Sequence, residues 1–309
     1  MNCEDFVIFV WSPALSAIID KSARAFDNPK PEKMNFLTRI GNGWELAKLS
    51  FATINKNRSL LLFPVISLFA LVIVLATFAG GTFFLIGDKL EAMLEDDQSG
   101  RIWGYGIVFL YYLVNFFVIV FFNAALIHCA VKTLNDEQTS VSDGISYAFS
   151  KVDKILGWSV LSATVGTLLQ ILHDTGKIGQ FVASLLGIAW SILTFFVVPV
   201  LIYEDKGVIE SVKESGRLIK AKWGESLAAN VSFGFFHFAG ILLAVAVGIM
   251  LASVNLALGI VAGVAIVFFV STLISAAQTV FVAAVYNHVT GRPIGNFDGD
   301  TLDSVFITK

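Results

Sequence analysis

Between Ser226 and Gly291 the chain carries no Asp, Glu, Lys or Arg. A water-soluble domain spends roughly a quarter of its residues on charge, so this run has to be solvated by something other than water. At about 20 residues per crossing it holds two membrane spans, and Ser253-Val254-Asn255 is the natural break between them. A second uncharged run, Ser59–Gly87, is long enough for one tilted span. Pro64 falls in its first turns, where a missing N–H costs least. The whole chain agrees: 56% of residues are apolar, 15% are charged, and the mean hydropathy is +0.77.

Three further spans complete the set. Trp103–Val131 is rich in aromatics, Ile155–Leu172 is short and built of smaller side chains, and Ile178–Tyr203 carries Pro199 near its end. The expectation is an all-α, polytopic integral membrane protein with six transmembrane helices. The acidic stretch Asp88–Arg101, the turn Lys132–Thr139 and the turn His173–Lys177 read as connections.

Amphipathic helices stand before alternate spans. Leu37, Ile40, Trp44, Ala47, Phe51 and Ile54 form one apolar stripe, and Val141, Ile145, Ala148, Val152 and Ile155 form a second. Ser140 with Asp143 three residues on has the form of a capping box with Asp in the usual Glu position. In the third, Val208, Val212, Ser215, Ile219 and Trp223 share a face opposite Glu210, Lys213, Glu214, Arg217 and Lys220. Such helices suit a membrane surface, with basic side chains snorkelling to water. Lys56, Arg58, Lys154, Arg217 and Lys222 are the interfacial basic residues at these junctions. Aligning Lys56, Lys154 and Lys222 puts three units of amphipathic helix, basic junction and hairpin in register, an architectural repeat without a shared residue motif. Lys and Arg crowd this side, while the other has only Lys89, Arg101 and Lys177, so both termini are expected in the cytoplasm of a cell (inner) membrane.

Three segments follow. Residues 1–35 are an N-terminal extension, interfacial or loosely packed, with Met34 an alternative natural start. Residues 36–291 are the membrane domain, and residues 292–309 a polar cytoplasmic tail. Cys3 and Cys129 give no disulfide assignment, and a net charge of −3 argues against a nucleic-acid partner.

The segments ESVKESGRLIKAKWGESL and SDGISYAFSKVDKILGW resemble the membrane domain fused to some glycerophosphodiester phosphodiesterases. RIGNGWELAKLSFATINKNRSLLLFP and VYNHVTGRPIGNFDGDTLDSVFITK look more like an uncharacterised prokaryotic membrane family, a domain of unknown function. The resemblance spans about Met34 to Lys309 and implies a six-helix prokaryotic membrane protein. It offers no catalytic residues to carry over, and the soluble phosphodiesterase barrel is absent.

Chemistry inside a membrane needs ionisable groups at depth, and the expected spans contain no Asp, Glu, Lys or Arg. His128 reads as an interfacial histidine, and His237 as an interhelical hydrogen-bonding group. The other deep polar residues are Asn115, Asn123, Thr164, Thr167, Gln170, Gln180, Asn230 and Gln278. Of these, Asn115, Asn123 and Gln278 join His237 as candidate intramembrane polar contacts, either interhelical glue or the lining of a polar cavity. Gly259 and Gly263 form a GxxxG beside the small-residue ladder Gly240, Ala244 and Gly248, which suits close packing within the chain. Asp298, Asp300 and Asp303 lack the spacing of a calcium loop, and no metal, cofactor or nucleophile motif is present. The sequence therefore points to a non-enzymatic membrane protein that organises lipid or a partner protein, a second copy of itself included. A transporter or channel for a neutral or lipidic small substrate is the alternative.

Overall fold

The computed structural model describes residues 47–95, 99–204, 206–221 and 223–292, with side chains described outside 82–101, 221–232 and 235. The extension 1–35, Lys222 and the tail aspartates lie outside the described residues, as does the Asn230 side chain. Among the described residues the chain is all-helical and has no strand. Helix α1 (residues 47–56) leads through a 3-10 turn, Arg58–Leu61, into α2 (Leu62–Glu95). Then come α3 (Ser99–Leu134), α4 (Val141–Phe149), α5 (Val152–His173) and α6 (Lys177–Leu193). The series ends with α7 (Val197–Tyr203), α8 (Val208–Ala221), α9 (Trp223–Ala252) and α10 (Leu256–Val289).

Among the described residues five stretches are long and apolar enough to cross a membrane: Arg58–Gly81, Ile102–Leu134, Val152–His173, Lys177–Tyr203 and Leu256–Val289. In α9 the apolar part with described side chains, Phe236–Ala252, is shorter than a crossing. Two connections differ from expectation. The acidic stretch read as a loop is helical through Glu95 and again from Ser99. The second amphipathic helix stops at Phe149 and restarts at Val152, which leaves Val152 exposed rather than on the buried face.

Caps set the remaining boundaries. Ser140 and Asp143 form the reciprocal capping box at the start of α4, with Asp143 N–H donating to Ser140 Oγ (3.2 Å) and Ser140 N–H to Asp143 Oδ2 (2.9 Å). Asn255 caps α10 by accepting from Leu258 N–H at 3.1 Å. Gly176, at φ +112°, makes the turn from α5 to α6, a conformation that L side chains rarely adopt.

Helices α3 and α10 are about 50 Å long at 1.5 Å per residue, far more than the roughly 30 Å of a hydrocarbon core. Their two halves differ accordingly. Trp103 and Leu110 on α3, and Ile260, Val261, Val264 and Phe269 on α10, are exposed. Beyond those positions Ala124–Ile127 and Ala276–Tyr286 are almost wholly buried or half-buried, surrounded by Leu60, Phe63, Ala148, Ile155, Val200, Leu201 and Ile219. The amphipathic helices bury their apolar faces here, on the bundle itself. In α8, Ser211, Ser215, Leu218 and Ile219 are buried, while Glu210, Lys213, Arg217 and Lys220 are exposed. At the opposite end Tyr105 Oη meets Asp174 Oδ2 at 3.3 Å, tying the start of α3 to the α5–α6 turn.

Small residues let α9 and α10 approach within the chain. A Cβ on Gly259 would sit 2.5 Å from Ala252 N and Gly248 O, and Gly263 lies against Gly248 and Ala244. Gly259→Val should therefore lower the thermal midpoint, overpacking of this kind costing about 1–3 kcal/mol. Gly104→Ala, where nothing lies within 4 Å, should not lower it. Thermal unfolding of both variants in one detergent checks the pair.

Candidate functional site: a cavity at a broken helix

The fourth long apolar stretch is interrupted. Helix α6 ends at Leu193, and α7 begins at Val197 with Pro199 in its first turn. Proline has no N–H and its ring clashes with the carbonyl four residues back, so Pro199 disfavours a continuous helix through Phe195. The break exposes backbone groups that lipid cannot satisfy, each costing several kcal/mol if left bare. Thr194 carbonyl accepts from Val197 N–H at 3.0 Å. Phe196 N–H donates to the Ser215 hydroxyl of α8 at 2.9 Å, and both residues are fully buried. The amphipathic helix thus caps the interrupted one.

A cavity of about 210 Å³ opens beside this break, between α3, α6–α7 and α10. Asn123, Gln278 and Thr279 supply its polar atoms, and Phe195, Pro199 and Phe281 with aliphatic neighbours supply the rest. Among the described residues neither the Asn123 nor the Gln278 side chain makes a hydrogen bond, so both amides are free to meet an occupant. Thr279 donates its hydroxyl proton to Ser275 O at 3.0 Å, which leaves its oxygen as an acceptor. No lining side chain carries a formal charge.

The sequence-derived polar residues separate clearly. Asn123 and Gln278 come together at the cavity. Asn115 instead bonds within its own helix, its amide donating to Tyr111 O at 2.7 Å, and Thr164 does the same to Val160 O at 2.8 Å. His237 Nε2 lies 3.3 Å from Ser271 Oγ, across the α9–α10 hairpin. Gln170 donates to Asp174 Oδ1 at 2.9 Å, Gln180 is exposed, and the Thr167 hydroxyl is buried without a partner. His128 stacks on Tyr147 with ring centroids 3.8 Å apart.

Of the basic junction residues, Lys56 and Lys154 reach other elements. Lys56 pairs with Asp136, and Lys154 Nζ donates to Glu204 O at 3.3 Å. Arg217 pairs with Glu214, which also lies 3.2 Å from Lys206 Nζ. Arg58 sits in the 3-10 turn, whose N-cap Asn57 donates to Thr133 Oγ1 at 3.1 Å. Sequence reasoning missed a neighbouring latch. Arg292 stands over the rings of Tyr203 and Tyr286, 5.1 and 5.5 Å from their centroids, and donates to Tyr203 O at 3.2 Å. Tyr286 Oη donates to Glu204 Oε1 at 3.0 Å. The available signal was an aromatic residue at each helix end, Tyr203 before Glu204 and Tyr286 before Arg292.

Two outcomes separate cap from cavity. Ser215→Ala strands the buried Phe196 N–H and should cost about 1–3 kcal/mol of stability. Asn123→Leu removes no bond of the fold and should leave the midpoint unchanged; thermal unfolding reads both. The Arg217 hydrogen bond, followed by that of Lys206, holds the Glu214 carboxyl below its ordinary 4.5. A depressed carboxylate stabilises the fold above its ordinary value and loses that contribution as pH falls through the lowered one. Glu214→Gln should therefore flatten the acid side of a midpoint-against-pH curve.

No curated protein matches the chain. A family model, described as a family of unknown function (DUF6159), matches residues 102–295, which covers both the broken helix and the cavity. The chain belongs to that family.

Proposed function

We propose that the protein is a non-enzymatic, multi-pass membrane protein that organises lipid at one leaflet of a prokaryotic cell membrane. In this reading α9 is the sixth span, and the amphipathic end of the bundle, with both termini, faces the cytoplasm. That orientation rests on the excess of Lys and Arg at that end.

One observation carries the lipid reading, namely the depth of the cavity. From Ile102 to Asn123 is 21 residues, and from Leu256 to Gln278 and from Lys177 to Pro199 is 22 each. At about 1.5 Å per residue each count is roughly 32–33 Å, or about 31 Å along the membrane normal at a typical 20° tilt. That is one hydrocarbon thickness. Counted from those helix starts, the lining residues support a cavity near the level where acyl chains end and lipid backbones begin.

Native mass spectrometry of the full chain, gently extracted from its own membrane, tests this. One lipid retained per protein is the expected result. Retention of a partner protein, or of further copies, with no lipid would move the function to scaffold assembly. A second reading, transport of a neutral small molecule, draws on the interrupted helix at the cavity, because broken helices line many transporter sites. Solute flux through vesicles containing the protein, abolished by Gln278→Leu, would favour transport over lipid organisation.

A further inference from the structure

We infer that the cavity recognises the glycerol-ester segment of a diacyl lipid, through its two acyl carbonyls, rather than the phosphate or the headgroup. The inference rests on the lipid reading above and specifies which part of the lipid is bound.

The chemistry of the lining decides the class. The Asn123 and Gln278 amides present N–H donors that the fold leaves unused. A phosphate at this place would call for Arg or Lys, because charge-assisted pairs are the strong ones, and the lining holds none. A hydrocarbon chain alone would leave two amides facing apolar atoms, at a cost in unsatisfied polar groups. An ester carbonyl is neutral and pairs with the amide N–H donors, while the amide oxygens are left to accept from other donors at the mouth of the cavity. Its attached acyl chain continues along an apolar wall, which Phe195 and Phe281 supply beside the amides.

Position agrees with chemistry. Glycerol esters occupy the thin layer between hydrocarbon and headgroups, the level at which Asn123, Gln278 and Pro199 stand by residue count. At about 210 Å³ the cavity has room for a two-ester backbone while the chains and headgroup stay outside.

The test compares two lipids that differ only in this segment. Full-length protein in detergent is titrated with diester phosphatidylglycerol and with its diether analogue, and bound lipid is counted by native mass spectrometry. The diester should bind about tenfold more tightly, the size of one to two hydrogen bonds. Asn123→Leu and Gln278→Leu should each bring diester binding down towards the diether value and leave the diether unchanged. Exchange of phosphatidylglycerol for phosphatidylethanolamine should alter affinity less than about threefold. Equal binding of diester and diether by the wild type overturns the inference while leaving lipid organisation in place. A preference governed by headgroup overturns it in favour of phosphate or headgroup recognition. Failure to bind either lipid overturns the lipid reading itself. The wild-type comparison needs no variant, so a variant that misfolds cannot mask the result.

Discussion

The bond between Phe196 N–H and the Ser215 hydroxyl is the contact on which the site depends. In a bilayer every backbone group has to be satisfied within the protein, which is why spanning segments are continuous helices unless a neighbour supplies the missing partner. Pro199 removes the N–H that would bond the Phe195 carbonyl and so disfavours continuity there. The chain can keep that interruption because the next helix brings a hydroxyl to it. Ser215 holds this position on the buried face of α8, where an aliphatic side chain would accept nothing from the Phe196 N–H. The broken helix, the cavity beside it and the docking of α8 are therefore one arrangement.

A second constraint follows from helix length. Two helices of about 50 Å cannot both lie within a 30 Å layer, so part of each belongs to another environment. The structure divides them cleanly, with exposed Val, Ile, Leu and Phe on one half and fully buried Ala, Val, Phe and Tyr on the other. The buried half is wrapped by the short helices α1, α4, α7 and α8, which act as the packing shell of a core. Small residues decide how close that shell comes. Gly144 of α4 is so near α3 and α2 that a Cβ there would meet Cys129 Sγ and Phe63 Cζ at 2.7 Å. The Tyr203–Arg292–Tyr286 stack then ties α7 to the end of α10.

Legibility of the sequence follows the range of the interactions. Turns and caps at Ser140, Gly176 and Asn255 were readable because their partners lie within a few residues. The polar and apolar faces of α8 were readable for the same reason, since periodicity is a local property. The acidic stretch before Arg101 was misread as a loop because charge density signals solvent, not backbone conformation. The division of the deep polar residues was not readable at all. Asn115 and Asn123 lie two turns apart on one helix and look alike in sequence, yet one bonds to its own backbone and the other faces the cavity with Gln278.

The sequence by itself determined that this chain is helical, that several of its helices are long and apolar enough to cross a membrane, and that amphipathic helices stand between them. These follow from the absence of charge over long runs and from apolar spacing, both of which any solvent of low dielectric enforces. Only the tertiary structure decided that Pro199 breaks a helix instead of ending one, that a serine nineteen residues later caps the break, and that two amides from distant helices meet beside it. Those outcomes depend on which surfaces dock. Docking depends on shape and on backbone groups left unpaired elsewhere, and neither is encoded in the neighbourhood of the residue that answers them.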